Sequence, residues 1–272
     1  MKQEQSAAQQ DAYARGFGKL AKWFADSLTL GEMEIRRIHH DSTDIFTRAV
    51  QPVLWLLVSG ETFSRIKAIP TGGVPYLEFL TPGILSQSVM FIAIFYGLNL
   101  IWDRDVGIVQ KFLALPVARS AFVVGRTMGA MVRGLTQAII VMLLAVVLRI
   151  PLRWSFLNIL GTLVVVMMCA VFFSSFSMIL AAIMRTRERF MGIGQVLTMP
   201  LFFASSAIYP ISIMPDWLKV IARINPLSYV VQILRDLLVT GTASNMFADL
   251  AILFGMIVLA IIIATKLYPR LA

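Results

Sequence analysis

The chain has 272 residues, 58% of them hydrophobic and 14% charged, with a mean hydropathy of +0.79. Ordinary soluble domains carry about 25% charged residues, so this composition cannot cover a water-facing surface, and the chain reads as an all-α integral membrane protein. Its 24 Lys and Arg against 15 Asp and Glu leave a formal charge of +9, which membrane topology accounts for, so no nucleic-acid partner is expected.

Residues 1–44 read as a cytoplasmic N-terminal segment. Residues 1–12 are polar and lack the apolar centre of a cleavable signal, so the first span is expected to direct insertion. Phe17, Leu20, Phe24 and Leu28 then recur at helical spacing, with Trp23 beside them and Arg15, Lys19 and Lys22 for the polar side. This is the pattern of a basic helix lying on an anionic leaflet. Further on, Glu32 precedes Arg36 by four residues and Glu34 precedes Arg37 by three, pairs that support a solvated face, while Ile35, Ile38 and Ile45 share the other. The segment reads either as an amphipathic interface helix that positions the first span or as a contact for a cytoplasmic partner.

Residues 45–272 read as the membrane domain. A spanning helix needs about 20 largely apolar residues, and six windows qualify: Ile45–Phe63, Pro82–Trp102, Thr127–Leu148, Asn158–Met184, Phe190–Tyr209 and Met246–Thr265. The first carries Arg48, Gln51 and Pro52 near its start, which puts that end in the headgroup zone. Between the second and third windows, residues 103–120 carry mixed charge and an apolar stripe of Val106, Val109, Phe112 and Leu113, which predicts a short cytoplasmic helix ended by Pro116. Gly125 and Gly129 then make a GxxxG spacing, suited to close helix packing within the chain or to a dimer contact. Arg133 is the one clear internal charge of the six windows; it is expected to pair with a polar group or to face a wet cavity.

Residues 211–241 come before the last window. Pro215 suits a helix start, with Trp217, Leu218, Ile221 and Ile224 as an apolar face; Asn225-Pro226 breaks the helix, and Leu227, Val230, Val231, Leu234 and Leu238 form a second face. Each half is too short to span. The segment reads as a re-entrant helical hairpin in the outer leaflet, the alternative being an amphipathic surface loop.

Lys and Arg counts orient the six spans. Sixteen fall on the side that holds the N-terminal segment with Arg48, the 103–120 loop with Arg126, Arg185, Arg187, Arg189, Lys266 and Arg270, and seven on the other. Cytoplasmic loops retain positive charge, so both termini are expected in the cytoplasm. No phosphate loop, HExxH or GxSxG motif occurs in the sequence. The two histidines, His39 and His40, are adjacent and so point about 100° apart on a helix, unlike an i, i+4 metal pair. A single cysteine, Cys169, excludes an intrachain disulfide and a Cys-based zinc site. The charge-poor spans also disfavour ion-coupled transport, so any transport energy should come from outside this chain.

Several stretches resemble one family: Tyr76-Leu-Glu-Phe-Leu-Thr-Pro-Gly83, Leu113-Ala-Leu-Pro-Val-Ala-Arg-Ser120, Gly192-Ile-Gly-Gln-Val-Leu-Thr-Met-Pro-Leu-Phe-Phe-Ala204, and Asn225-Pro-Leu-Ser-Tyr229 with Arg235. Together with the layout they resemble the permease subunit of type-2 ABC exporters, in particular the daunorubicin-resistance and nodulation-export branch, over roughly residues 30 to 270. The resemblance implies a permease in the inner membrane of a prokaryote, paired with a second copy of itself and a separate ATPase subunit that carries ATP and Mg, this chain binding no cofactor or metal and having no catalytic residue. It implies an ATPase-coupling segment at Asp103, Arg104, Asp105, Gln110, Lys111, Pro116 and Arg119, with Glu32, Glu34, Arg36 and Arg37 at its rim. It also implies an outer exit shaped by Pro215, Trp217, Asn225, Pro226, Tyr229 and Arg235, and a substrate path past Arg133, Gln195, Phe202 and Phe203. The expected cargo is a hydrophobic or amphipathic compound such as a drug or lipid. The alternatives are a lipid-linked oligosaccharide or polysaccharide, whose sugar rings would stack on Phe91, Phe95, Tyr96, Phe172, Phe173, Phe202 and Phe203, and, from another class, an ion channel or ion-coupled carrier.

Overall fold

The computed structural model describes residues 2–38, 50–60, 62–63, 71, 73–115, 117–184, 186–241 and 245–271, without the side chains of residues 2–17, 38, 59, 113, 270 and 271. His39, His40, Arg48, Pro116 and Arg185 lie outside the described residues, as does the 45–49 start of the first apolar window. Among the described residues the chain is helical with no strand. The helices are α1 (Lys2–Ile38), α2 (Tyr76–Tyr96), α3 (Leu98–Asp105), α4 (Ile108–Leu113), α5 (Arg119–Val147), α6 (Phe156–Ile183), α7 (Arg187–Phe203), α8 (Asp216–Ile224), α9 (Pro226–Arg235) and α10 (Met246–Leu267). Residues 50–54 are also helical and lead into a π-helical stretch, Trp55–Gly60.

Four of these pieces are long and apolar enough to cross a membrane: Tyr76–Asp105, which joins α2 and α3, then α5, α6 and α10. Tyr76–Asp105 starts six residues before its apolar window, because Tyr76, Phe79 and Leu80 extend the buried face outward. The fifth window differs more. Its helix, α7, has 17 residues and ends at Phe203, about 25 Å long against roughly 30 Å of hydrocarbon, and residues 204–209 continue as a turn.

α2 is the central helix, 78% buried over its apolar window, against 17% for α10. α5, α6 and α9 pack around it, while α10 covers α6 and α9 and turns Phe247, Phe254 and Leu259 outward. Three buried hydroxyls of α2 bond within the helix itself: Thr81, Ser86 and Ser88 donate to the carbonyls of Leu77, Pro82 and Ile84, each at 2.7 Å. A second apolar cluster, with Leu100, Val109, Phe122, Phe190 and Tyr268, closes the end of the molecule where α3, α4 and the start of α5 meet.

α1 lies along α5. The two approach closely because α5 offers glycines to the α1 side chains: a Cβ on Gly125 would lie 2.6 Å from Leu30 Cβ and 3.0 Å from the Ser27 carbonyl oxygen, and one on Gly129 would lie 3.0 Å from Glu34 Cβ. The GxxxG pair therefore serves packing within the chain. Trp23 Nε1 donates to Ser120 Oγ at 2.9 Å on the same seam. Leu20, Phe24 and Leu28 point away from it and are 59–60% exposed, the apolar stripe of an interfacial helix.

Candidate functional site

The segment after the second apolar window is built as a helical extension and a turn. α3 carries the line of α2 past Gly97 to Asp105. Gly107, at φ +75°, takes a left-handed conformation that a residue without Cβ adopts at little cost, and the chain turns into α4. Val109 is fully buried and Phe112 packs on Phe122 at 5.2 Å. α4 is thus held down by its apolar side. Val106, Gln110, Lys111 and Leu115 remain on the outer side, with Arg119 exposed where α5 begins.

Asp103 is not on that surface. It is 4% exposed and accepts hydrogen bonds from Arg126 and, at 2.9 and 3.1 Å, from both Nη atoms of Arg37. Glu34, 3% exposed, accepts from the Tyr96 hydroxyl and lies 3.7 Å from both Arg37 and Arg126. The expectation of a solvated face at Glu34–Arg37 is therefore corrected. Glu34 shares a helix face with Trp23, Ser27, Leu30 and Gly31, which docks on α5, whereas Glu32 and Arg36 point to solvent and form an ordinary surface pair at 2.7 Å. The hydrogen bonds to Asp103 hold Arg37 above its usual basicity.

Asp105 makes a separate set of links. It pairs with Arg187 at 2.8 Å and with Arg104 at 3.1 Å, and the Arg187 guanidinium lies 3.5 Å over the Trp102 ring. The two aspartates thus tie one short helix to three others, Asp103 to α1 and α5, Asp105 to α7. Arg133, about two turns beyond Arg126 on α5, sits over the Tyr96 ring at 5.5 Å. It lines a cavity of about 230 Å³ with Glu34, Arg37, Asn99, Trp102 and Asp103. Rigidly linked charges of this kind can transmit a displacement. Among the described residues no three His, Cys, Asp or Glu side chains gather as a metal site requires.

A second arrangement closes the opposite end. α8 and α9 meet at Asn225, whose Nδ2 donates to the carbonyls of Leu201 at 2.6 Å and Ala204 at 3.0 Å, while its Oδ1 accepts from Leu227 N at 3.0 Å. One side chain therefore caps α9 and also satisfies the frayed end of α7. Arg235, 7% exposed, donates to the Ser206 carbonyl at 2.8 Å and covers the Phe79 ring at 3.7 Å. Tyr76 reaches the Ile208 carbonyl at 3.3 Å. The irregular backbone of 204–209 is thus paired by side chains from α2, α8–α9 and its own serines, as backbone without helix bonds requires in an apolar setting. Pro215 precedes α8, Tyr229 donates to the Arg223 carbonyl at 2.6 Å, and Trp217 and Ile224 stand 67% and 68% exposed on α8.

The residues expected along a substrate path lie apart in the fold. Arg133 belongs to the ionic cluster, Gln195 is on the open side of α7, Phe202 is buried against Trp55 at 5.5 Å, and Phe203 is 43% exposed. Sequence reading did not identify Tyr96, Arg126 and Arg187 as partners in the cluster. Their signal was present but weak, since an Arg, a Tyr and a second Arg near window ends fit interfacial anchoring equally well.

A sequence profile described as ABC-2 type transporter matches residues 27–239. The chain is 30% identical over 193 residues to the ycf38 protein of Cyanophora paradoxa, described as a transport permease, a match that covers 69% of this chain and 65% of that protein, so just under two thirds of that relative's length is represented. It is 28% identical over 207 residues to the daunorubicin resistance ABC transporter permease protein DrrB1 of Streptomyces coeruleorubidus, covering 75% of this chain and 71% of that one. Nodulation protein J of Rhizobium leguminosarum bv. viciae is 23% identical over 259 residues, 94% of this chain and 96% of its own length.

Proposed function

The chain belongs to the ABC-2 type transporter family and is a transmembrane component of that kind, and from this premise we propose that it is the permease of an ATP-driven exporter for a hydrophobic or amphipathic compound. In this reading two copies pair in a prokaryotic inner membrane with two ATPase subunits that hold ATP and Mg. Each copy has six spans and cytoplasmic termini, residues 45–63 and α7 joining the four long helices, and residues 211–241 form a re-entrant hairpin at the outer exit. The drug-resistance name of one relative supports export of a drug-like compound.

The observation that carries the coupling role is the pair of aspartates on α3. Force applied to the exposed tip, Val106, Gln110 and Lys111, meets no loose loop. It passes through Asp103 to α1 and α5 and through Asp105 to α7. The tip docks and the aspartates transmit. Val106→Asp with Lys111→Glu is expected to reduce co-purification of the ATPase without changing the thermal midpoint of the isolated chain, whereas Asp105→Asn is expected to leave assembly intact and raise ATP turnover per molecule exported. Unaltered assembly in the tip variant removes α4 from the interface. For topology, in a Cys169→Ser background, cysteines at Thr186 should be protected from an impermeant thiol reagent in intact cells and cysteines at Thr71 should react; the reverse pattern inverts the orientation.

A further inference from the structure

A groove of about 460 Å³ runs between the first turns of α6, the end of the hairpin and the first turns of α10. Its walls are almost entirely apolar, with Leu160, Val164, Leu237 and Leu250 among them, and one ionisable side chain reaches it, Asp236. Its volume lies in the range of about 300–1,000 Å³ typical of small-molecule sites. The smaller cavity at Arg133 falls below that range and belongs to the ionic cluster already described.

Asp236 opens a π-helical turn, Asp236–Thr240, that ends at Gly241 in a left-handed conformation. Such turns are rare and concentrate at functional sites. The carboxylate is 6% exposed, and the hydrogen bonds it accepts come from neutral groups, Gln232 Nε2 at 3.4 Å and Thr240 Oγ1 at 3.2 Å. Arg235 attracts Asp236 electrostatically, but the neighbouring cations make their hydrogen bonds elsewhere. Arg235 directs its guanidinium to the Ser206 carbonyl and the Phe79 ring, and Arg153 donates from Nε to the Val239 carbonyl beside Gly241. The other charge that faces this region, Asp249 on α10, is also negative and interacts electrostatically with Asp236. A buried carboxylate to which no cation donates a hydrogen bond, with one guanidinium and one carboxylate acting on it only through space, leaves room for a positive group from outside to balance it.

We infer that this groove binds an alkylammonium group, the tail lying along α6 and α10 and the ammonium on Asp236. Charge complementarity selects the head and the apolar walls select the tail. The site lies within about 14 Å of the start of α6, which is the outer leaflet if the orientation proposed above holds; binding itself does not depend on that reading. An aminophospholipid of the surrounding leaflet and a free cationic amphipath both carry this chemistry.

The test is a titration of the purified full-length chain in neutral detergent, without any ATPase, followed by native mass spectrometry. The probes are dodecylammonium, the uncharged dodecanol, phosphatidylethanolamine and phosphatidylglycerol. Dodecylammonium is expected to bind more tightly than dodecanol. Asp236→Asn, which keeps the shape, should weaken dodecylammonium roughly tenfold or more while leaving dodecanol unchanged, and Val164→Trp, which fills the groove from its exposed wall, should weaken both. Competition by phosphatidylethanolamine but not phosphatidylglycerol identifies the lipid amine as a ligand; absence of competition assigns the groove to free amphipaths. If Asp236→Asn leaves the preference for dodecylammonium over dodecanol intact, or if wild type shows no such preference, the inference is overturned. Neither result touches the coupling experiment on the other face.

Discussion

Removing the Asp103 carboxylate by Asp103→Ala leaves two guanidiniums in unequal positions. Arg37 has a side chain 42% exposed and can turn to water, so its share of the loss is that of a surface pair, about 0.2–1 kcal/mol. Arg126 is 5% exposed and cannot. Its remaining counter-charge is Glu34 at 3.7 Å, worth about 4 kcal/mol at an effective dielectric of 20, so Arg126 loses one of two such interactions rather than all of them. Breaking a buried pair usually costs about 3–5 kcal/mol, and with Glu34 still in place we expect about 3 kcal/mol here. At about 2–4 °C per kcal/mol for a chain of this size, the thermal midpoint should fall by roughly 6–12 °C. Cys169 supplies the assay. It is the only thiol and is fully buried in the core, so a thiol-reactive fluorophore reports unfolding as the detergent-solubilised chain is heated. Arg37→Ala should shift the midpoint by less than about 4 °C. The double variant Asp103→Leu with Arg126→Met should lose less than the sum of its single changes, because a buried ion pair replaced by apolar groups of similar size is often neutral in stability. Equal effects of Asp103→Ala and Arg37→Ala, or strict additivity in the double variant, would refute the assignment of Asp103 to a buried ionic cluster.

Asn225→Ala is expected to cost about 2–4 kcal/mol, since it strands two buried carbonyls and one helix-start N–H, and Pro226→Ala less, since Pro226 supplies only the fixed φ of a first helical position; midpoints from the same thiol assay rank the two, and a larger effect at Pro226 would show that the break depends on proline. Gly125→Leu should force α1 off α5, because even a Cβ there would lie 2.6 Å from Leu30 Cβ. Its readout is the midpoint in the same thiol assay, which should fall further than in Gly18→Leu, where nothing lies within 4 Å of an added Cβ.

The sequence by itself determined what depends on local rules. Apolar run length and scarce charge specify long membrane helices, as in α5, α6 and α10, because each backbone amide must find its partner inside its own segment when no water is present. The Asn-Pro dipeptide likewise determines a helix boundary at 225, because Asn caps a helix and Pro has no N–H to donate to the preceding turn. Only the tertiary structure decided which charges are structural. Glu32 and Glu34 are equivalent in the sequence pattern, each with an arginine three or four residues on, and Asp103 and Asp105 are two residues apart in one charged loop. Two residues on a helix is a rotation of about 200°, enough to send one member of each pair to solvent or to α7 and the other into a cluster whose partners lie 23, 62 and 66 residues away. No local signal encodes those separations. They arise because Gly125 and Gly129 let α1 come close enough to α5 for Glu34 and Arg37 to meet the end of α3.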